Sequence, residues 1–303
     1  MLDDVLILGG SGFVGSRLCE MLLVPDGAAP GRVSVVTRRR DHVRHLLPLP
    51  GFHLEEGDVH DDATLARLVA GRSAVVNLIG VLHGDAAAFD KAHAELPRRL
   101  AQACRREQVS QVVHISALGV QREAPSMYLR SKAAGEAAWE QSGVPAAVLR
   151  PSVMFGARDH FLNLFARLSR FAPLVALAGA EAQFQPVWVD DVARAIVVCL
   201  RRSRDVLEVY ECAGPRVYTL AELVRLAGRF SGHERPVVAL PRPAGQMLAG
   251  LMECLPGEPL MSRDNLASMQ VPNVASGQRP GLAALGITPA SLEAIAPGYL
   301  SRR

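Results

Sequence analysis

The sequence predicts an α/β protein with a doubly wound parallel sheet and a smaller C-terminal lobe. Three observations predict it: a strand, glycine turn and helix near the start, strand-like runs alternating with helical patterns up to residue 150, and a looser, proline-rich pattern afterwards. A chain of 303 residues is long enough for one large domain with an appended lobe. We therefore divide it into residues 1–150, the sheet domain, and 151–303, a mixed lobe with elements that return to the sheet.

The first unit has the order that a dinucleotide-binding turn requires. Four apolar residues at 5–8 indicate a buried parallel strand, and glycines follow at 9, 12 and 15 before an apolar helical pattern. Gly9 would make the tight turn, Gly12 would admit a pyrophosphate, and Gly15 would pack helix on strand. An ordinary glycine turn is the alternative. The predicted cofactor contacts here are Gly9, Ser11, Gly12, Phe13 and Val14.

The later elements continue the alternation and then lose it. Strands are predicted at 33–37, 52–55, 74–78, 111–116 and 146–149, and helices near 41–47, 63–70, 86–107 and 127–142. Six such repeats predict a Rossmann-type sheet covered on both faces, with ligands at the carboxyl ends of the strands. The lobe is predicted to contain a helix at 161–170, an apolar loop at 171–180, strands at 184–189 and 207–212, an acid-capped helix from 190, and helices from 219, at 244–255 and at 262–269.

The end of the second predicted strand indicates which dinucleotide binds. NAD-selective sites usually place Asp or Glu there to accept hydrogen bonds from the ribose 2′-hydroxyl, but this strand ends in Thr37-Arg38-Arg39-Arg40. A guanidinium group suits a 2′-phosphate. We therefore predict NADP(H), bound through Arg38 and Arg39, with NAD(H) as the alternative.

Further cofactor contacts are expected where later strands end. Asp58 would accept from the adenine amino group with Val59 on the ring, or else it is a turn or cap residue. Leu78 and Gly80 would let the backbone pass close to the nicotinamide-side ribose. After the sixth predicted strand, the expected contacts are Pro151 and Val153.

The candidate catalytic residues are Ser116, Tyr128 and Lys132. Tyr128 and Lys132 lie four positions apart on a predicted helix and share one face, in a chain with only four tyrosines and two lysines. A surface pair is the alternative. An adjacent ammonium favours the phenolate, so Lys132 is expected to lower the pKa of Tyr128 from its usual value of about 10. Ser116 would hold a substrate carbonyl, and Lys132 would also hold the cofactor ribose.

These motifs resemble a known superfamily. Residues 9–15, the Tyr128–Lys132 pair and residues 150–152 resemble the extended or atypical short-chain dehydrogenases/reductases. Residues 128–136, 150–156, 159–165 and 185–192 are similar to bacterial relatives of the NADPH-binding accessory subunit of mitochondrial complex I (alpha subcomplex, subunit nine). This resemblance implies tightly bound NADP(H), with the Arg38 region on the 2′-phosphate, and contact with quinones or respiratory membranes. Sugar-nucleotide epimerases usually carry an Asn where this chain reads Ala-His-Ala-Glu at 92–95, which weakens that assignment.

Composition excludes several classes of partner and site. The net charge is +3, and no basic stretch is interleaved with aromatics, so nucleic acid is not an expected partner. The five cysteines and nine histidines lack metal-ligand spacing, and no metal is expected. The start, Met-Leu-Asp-Asp, lacks the positive region of a signal peptide, which predicts a cytoplasmic protein. Residues 244–252 are apolar, and we interpret them either as core or as a surface that contacts a membrane or an apolar substrate.

Three functions remain open from the sequence. The first is an NADPH-dependent oxidoreductase acting on a small carbonyl or quinone-like substrate. The second is a non-catalytic NADPH-binding protein that serves respiratory-complex assembly or quinone biosynthesis, peripheral to the inner face of the membrane. The third is an NAD-dependent sugar-nucleotide epimerase or dehydratase. The sequence does not fix the oligomeric state.

Overall fold

The computed structural model describes residues 4–24, 31–257 and 259–301. Residues 1–3, on which the expected localisation rests, lie outside the described residues. The strands are β1 (Asp4–Leu8), β2 (Arg32–Thr37), β3 (Phe52–Glu56), β4 (Ala74–Asn77), β5 (Gln111–Ile115), β6 (Ala147–Pro151), β7 (Met154–Phe155), β8 (Val175–Leu177), β9 (Gln183–Phe184), β10 (Val187–Trp188), β11 (Glu208–Cys212), β12 (Tyr218–Thr219) and β13 (Val237–Ala239).

Seven of these strands form one parallel sheet in the order β11-β6-β5-β4-β1-β2-β3. The chain order reverses at β1, so the carboxyl ends of β1 and β4 border a crevice that ligands commonly occupy in such sheets. The six strands predicted from residues 5–149 are all present, and the predicted strand at 207–212 returns as the edge strand β11. The predicted doubly wound sheet is therefore confirmed.

The helices cover both faces of the sheet and build the lobe. They are α1 (Phe13–Leu23), α2 (Asp62–Val69), α3 (Ala86–Asp90), α4 (Leu96–Arg106), α5 (Met127–Ser142), α6 (Leu162–Phe171), α7 (Val189–Arg201), α8 (Leu220–Phe230), α9 (Arg242–Glu253), α10 (Arg263–Ser268), α11 (Leu292–Ile295) and α12 (Pro297–Leu300). One core joins α1 and α7 to the sheet, and the other joins α2, α4 and α5 to the opposite face. A third core, in the lobe, packs α6 against α8 and α12.

Several local predictions are wrong, and three of them have a clear physical cause. The predicted helix at 41–47 is a single 3-10 turn, Arg40–Val43, because Pro48 and Pro50 follow and disfavour helical backbone before them. The predicted loop at 171–180 contains β8, which pairs in parallel with β13, more than 60 residues later in the chain. Such a partner leaves no local signal.

The third wrong prediction concerns the acids that begin α7. Neither Asp190 nor Asp191 makes a cap hydrogen bond. Asp190 instead accepts two hydrogen bonds from Arg17 of α1, each 2.7 Å long, and Asp191 accepts from the Ala290 amide at 2.8 Å. These acids therefore tie α7 to α1 and to the C-terminal segment.

None of the described helices is both long enough and apolar enough to cross a bilayer. Across residues 4–24, 31–257 and 259–301, no three His, Cys, Asp or Glu side chains are grouped so that they could hold a metal ion.

Candidate functional site

The glycine turn joins β1 to α1 through backbone geometry that suits an anion. Gly9 has a φ of +81°, in the left-handed region that favours glycine, and its carbonyl accepts from the Gly12 amide at 3.0 Å. Helix α1 begins after Gly12 with no side-chain cap from the described residues and no acid in its first turn. Its first amides are therefore open to a pyrophosphate. Val14 is buried in the core, so only its backbone can serve a cofactor.

Gly15 fixes how closely α1 docks on this turn. A Cβ at Gly15 would lie 2.4 Å from the Gly10 Cα and 2.5 Å from the Gly9 carbonyl oxygen. Both neighbours are backbone atoms that cannot rotate away. The predicted packing role of Gly15 therefore has a direct steric basis.

We expect Gly15→Ala to lower the free energy of unfolding by about 3 kcal/mol, since overpacking against backbone costs in that range. Urea unfolding measures it, with Gly298→Ala as the control. Gly298 lies in α12 and does not have a left-handed φ, and a Cβ added there would meet no atom within 4 Å, so its substitution should change stability little. Equal stability of Gly15→Ala and wild type would contradict this packing argument.

The arginines after β2 are exposed at the edge of the same crevice. Parallel register aligns Val36 with Leu8, so the chain leaves β2 beside the glycine turn. Arg38, Arg39 and Arg40 are all exposed, and within the described part of the chain no hydrogen bond or ion pair engages their guanidinium groups. Their charges are thus available to a ligand.

Other predicted cofactor residues lie along the strand ends. Asp58 is exposed and its Oδ1 accepts from the His60 amide at 3.0 Å, which gives it the turn role that the sequence left open. Val59 beside it is buried. The Leu78 backbone closely flanks Gly9, because a Cβ on that glycine would lie 3.1 Å from the Leu78 carbonyl carbon. The adenine contact predicted for Asp58 and Val59 stays a prediction.

The loop after β6, where cofactor contacts are predicted, is hydrogen-bonded to the C-terminal lobe. Val153 donates its amide to Asn273 Oδ1 at 2.8 Å, and the Ser152 hydroxyl donates to the same oxygen at 2.7 Å. Pro151 is the buried last residue of β6. The Val153 amide is therefore already bonded within the protein, and only its half-buried side chain can meet a cofactor.

The helix that carries Tyr128 and Lys132 packs beside the carboxyl end of β5, where Ser116 lies. Tyr128 and Lys132 lie one turn apart on α5, and Lys132 Nζ donates to the Ile115 carbonyl at 3.1 Å, one residue before Ser116. The Ser116 hydroxyl is buried and has no partner among the described residues. Leaving a buried hydroxyl unpaired costs about 1–3 kcal/mol, which a ligand accepting its hydrogen bond would offset.

Burial controls the protonation of this pair. It raises the pKa of Tyr128 to about 12 and lowers the pKa of Lys132 to about 8. The expectation that Lys132 lowers the phenol pKa is therefore wrong, because desolvation of the phenolate dominates and the ammonium bonds the Ile115 carbonyl. Tyr128 is protonated at neutral pH, and its hydroxyl donates to no other described group, so it can act as a proton donor.

Lys132→Met is expected to stabilise the ligand-free protein at pH 7 by about 2 kcal/mol, because it removes a charge whose burial lowers the pKa from 10.5 to about 8, although it also loses one hydrogen bond to the Ile115 carbonyl. Raising the pH from 8 to 10.5 deprotonates this lysine in the folded chain before the unfolded chain. Wild type therefore gains stability across that window, and the difference from Lys132→Met shrinks. Urea unfolding of both proteins at pH 7 and 10 measures it. If the difference in free energy of unfolding between wild type and Lys132→Met does not change with pH, Lys132 does not carry a buried charge.

His93 belongs to the site, although sequence reasoning assigns no ligand role to it. It lies in a π-helical turn, Lys91–Glu95, between α3 and α4. Its Nε2 accepts from the Val81 amide at 2.9 Å, so Nδ1 carries the proton and donates to Ser131 Oγ at 2.9 Å. Burial lowers its pKa to about 3, which keeps the ring neutral.

The ring of His93 also frames Tyr128. The two rings meet edge to face with centroids 5.4 Å apart, and Phe89 adds a third ring at 6.2 Å from Tyr128. A Cβ on Gly80 would lie 3.2 Å from Lys132 Nζ and 3.4 Å from His93 Nε2. Gly80 therefore lies against Lys132 and His93, and its predicted approach to the nicotinamide-side ribose stays a prediction.

One sequence signal could have found this contact. Gly135 interrupts α5, and a Cβ there would lie 2.1 Å from the His93 carbonyl oxygen. A glycine inside a helix costs about 1 kcal/mol relative to alanine and often indicates a close approach of another backbone.

Comparisons with known proteins identify the family of this chain. Residues 5–213 match the NAD dependent epimerase/dehydratase family. NADH dehydrogenase (ubiquinone) 1 alpha subcomplex subunit 9 of Mus musculus is 30% identical over 95% of this chain and 77% of its own length. The dTDP-glucose 4,6-dehydratase of Streptomyces niveus is 28% identical over 72% of this chain and 75% of its own.

Among solved structures, MoeE5 in complex with UDP-glucose and NAD superposes with a TM-score of 0.70 at 20% identity, over 99% of each chain. This likeness concerns the fold. The resemblance to the extended short-chain dehydrogenases/reductases and to the complex I subunit is confirmed. Since the family match covers more than half of the chain, this protein belongs to the NAD dependent epimerase/dehydratase family.

Proposed function

We propose that this protein binds NADP(H) and reduces an uncharged carbonyl or quinone-like substrate through Ser116, Tyr128 and Lys132. The observation that carries the proposal is the buried Ser116 hydroxyl without a partner among the described residues, at the strand end where Lys132 bonds the Ile115 carbonyl. An open hydroxyl donor is suited to a carbonyl oxygen, which accepts two hydrogen bonds and could take the second from the phenol of Tyr128.

The residues present fit a phosphorylated dinucleotide. The glycine turn leaves the first amides of α1 open for the pyrophosphate, and the exposed Arg38 and Arg39 would bind the 2′-phosphate. Lys132 would hold the nicotinamide-side ribose. When bound, NADPH supplies the hydride, and the protein supplies binding, orientation and the proton.

The protein's own groups complete the reduction. Ser116 donates a hydrogen bond to the substrate carbonyl oxygen and holds it near the Tyr128 hydroxyl. The carbonyl oxygen would gain negative charge as the carbonyl is reduced, and Tyr128 would transfer its phenolic proton to that oxygen. Solvent would then return a proton to the phenolate.

The segment that covers Tyr128 supports an uncharged substrate. Between residues 259 and 275, Arg263 is the single basic residue of the sequence. Its guanidinium pairs with Glu253 at 2.8 Å and lies at the surface. A diphosphate lying against this segment would meet no unpaired cation from it, so the covering segment favours a neutral ligand.

Turnover with a substrate panel tests the proposal. The purified protein is incubated with NADPH or NADH and with aldehydes, ketones, short-chain quinones and UDP-glucose, and cofactor oxidation is followed by absorbance. We expect oxidation of NADPH by at least one uncharged carbonyl or quinone, and none with UDP-glucose. Tightly bound NAD in the purified protein, together with conversion of a sugar nucleotide, would replace the proposal by epimerase or dehydratase activity.

A non-catalytic role is the second candidate, favoured by the 30% identity to the mouse protein named as a complex I subunit. In this role NADPH stabilises the fold while the surface contacts a respiratory complex, at the periphery of the membrane. It predicts a large rise in melting temperature with NADPH, co-purification with membranes, and no cofactor oxidation with any member of the panel.

A further inference from the structure

A segment of the C-terminal lobe crosses the carboxyl edge of the sheet at the candidate site. We name residues 262–273 the strap. Val271 packs against the cluster that includes Ala117 and Tyr128, and its Cγ1 would lie 3.0 Å from a Cβ on Gly119. Asn273 bonds the loop after β6 at Ser152. The strap thus touches the loops that follow both β5 and β6.

Asp264 of the strap bonds the first turn of the helix that carries the tyrosine. Its Oδ1 accepts from the Met127 amide at 2.6 Å, and its Oδ2 accepts from the Tyr128 amide at 3.1 Å. Ser126, next to them in the chain, satisfies the Leu129 amide at 3.2 Å. The opening amides of α5 are therefore paired, two of them by a residue more than 130 positions away.

These contacts have an energetic consequence for Tyr128. A carboxylate at the first turn of a helix satisfies free amides and opposes the positive end of the helix dipole. Without it, the first turn of α5 would be held by Ser126 alone and would fray. Tyr128 lies in that first turn, whereas Lys132 lies one turn further in.

We propose that Asp264 is a positioning residue, which fixes Tyr128 over the substrate by holding the first turn of α5. The inference rests on the proposed function of Tyr128 as proton donor. The strap both covers the site and bonds the first turn of α5 through Asp264. This contact would therefore link the C-terminal lobe to catalysis.

Tyrosine-selective NMR tests the positioning without any substrate. The chain has four tyrosines, so isotope-labelled tyrosine gives four ring signals, and Tyr128→Phe identifies one of them. We expect Asp264→Ala to shift or broaden the Tyr128 signal, because its ring leaves the shielding of His93 and Phe89, while the other three signals stay. Amide exchange in residues 127–129 should rise about 10-fold or more. The matched control is Thr219→Ala, which removes the cap of α8 and should leave Tyr128 unchanged.

Kinetics distinguish positioning from a general loss of structure. We expect Asp264→Ala to lower kcat at least about 10-fold with an unchanged KM for NADPH. Asp264→Asn keeps one acceptor oxygen, so its kcat should lie between those of Asp264→Ala and wild type. An unchanged Tyr128 signal in both variants overturns the inference, whatever the turnover. A displaced Tyr128 with undiminished kcat also overturns it. If wild type turns over no substrate while Tyr128 still moves, the proposed function fails and the contact survives as structural.

Discussion

Replacing Tyr128 by phenylalanine is expected to lower kcat for NADPH-dependent carbonyl reduction by about 100-fold or more, the usual contribution of a positioned proton donor. The phenol is protonated at neutral pH, and burial keeps it so by raising its pKa to about 12. Phenylalanine removes that proton and keeps the ring that packs against His93 and Phe89. Since the lost hydroxyl bonds no described group, the fold should not change.

Steady-state rates at saturating NADPH, NADPH affinity by fluorescence and melting temperature check this expectation. Affinity and melting temperature should match wild type. Tyr218→Phe is the control, because it removes a phenol that bonds Glu293 at 2.7 Å in the lobe, away from the site. Its turnover should stay within about 2-fold of wild type, in the range of surface substitutions. Full activity in Tyr128→Phe would exclude Tyr128 as the proton donor and leave the non-catalytic role as the better explanation.

The opposite pKa shifts of Tyr128 and Lys132 follow from the burial of both side chains. The sequence places them on one helix face, and α5 has the predicted bounds, Met127–Ser142. What the spacing cannot supply is the desolvation that raises one pKa and lowers the other. The spacing of two residues shows whether they share a helix face. Their pKa values, in contrast, depend on every segment of the chain that covers that face.

The same limit explains which parts of the site are predictable. The glycine turn, the arginines after β2 and the pair on α5 are contiguous in sequence, so local pattern identifies them. His93 depends on Val81 and Ser131, 12 and 38 positions away. Asp264 lies 136 positions from Tyr128. Partners this distant leave no periodicity in the chain, and only the folded geometry brings them together.

The fold shows the same division between local and distant information. Most strands of the central sheet contain a run of apolar residues, so each of these is visible on its own. β8 has three residues and becomes a strand by pairing with β13. The sequence pattern predicts ordinary helix where the π-helical turn at His93 lies, because the signal for that turn, Gly135, lies on a different helix.

Cofactor choice gives the second large expected effect. Arg38→Glu should weaken NADPH binding by roughly 100- to 1000-fold and leave NADH binding equal or stronger. Losing a charge-assisted hydrogen bond costs about 1.5–3 kcal/mol, and a carboxylate facing a phosphate adds repulsion, together about 3–4 kcal/mol at 1.4 kcal/mol per tenfold. The new carboxylate would also accept from a free ribose 2′-hydroxyl, as in NAD-selective sites.

Isothermal titration of both cofactors against wild type and variant measures this change. Arg44→Glu is the matched control, because Arg44 is an exposed arginine six positions later that pairs with Asp41. Arg44→Glu changes the net charge by the same amount as Arg38→Glu, so a general effect of charge would weaken NADPH binding equally in both variants. An inverted preference confined to Arg38→Glu would identify the 2′-phosphate as the ligand of this guanidinium. If wild type prefers NADH, or if both variants behave alike, the arginines do not select the cofactor, and the family's NAD-dependent chemistry becomes the better guide to this site.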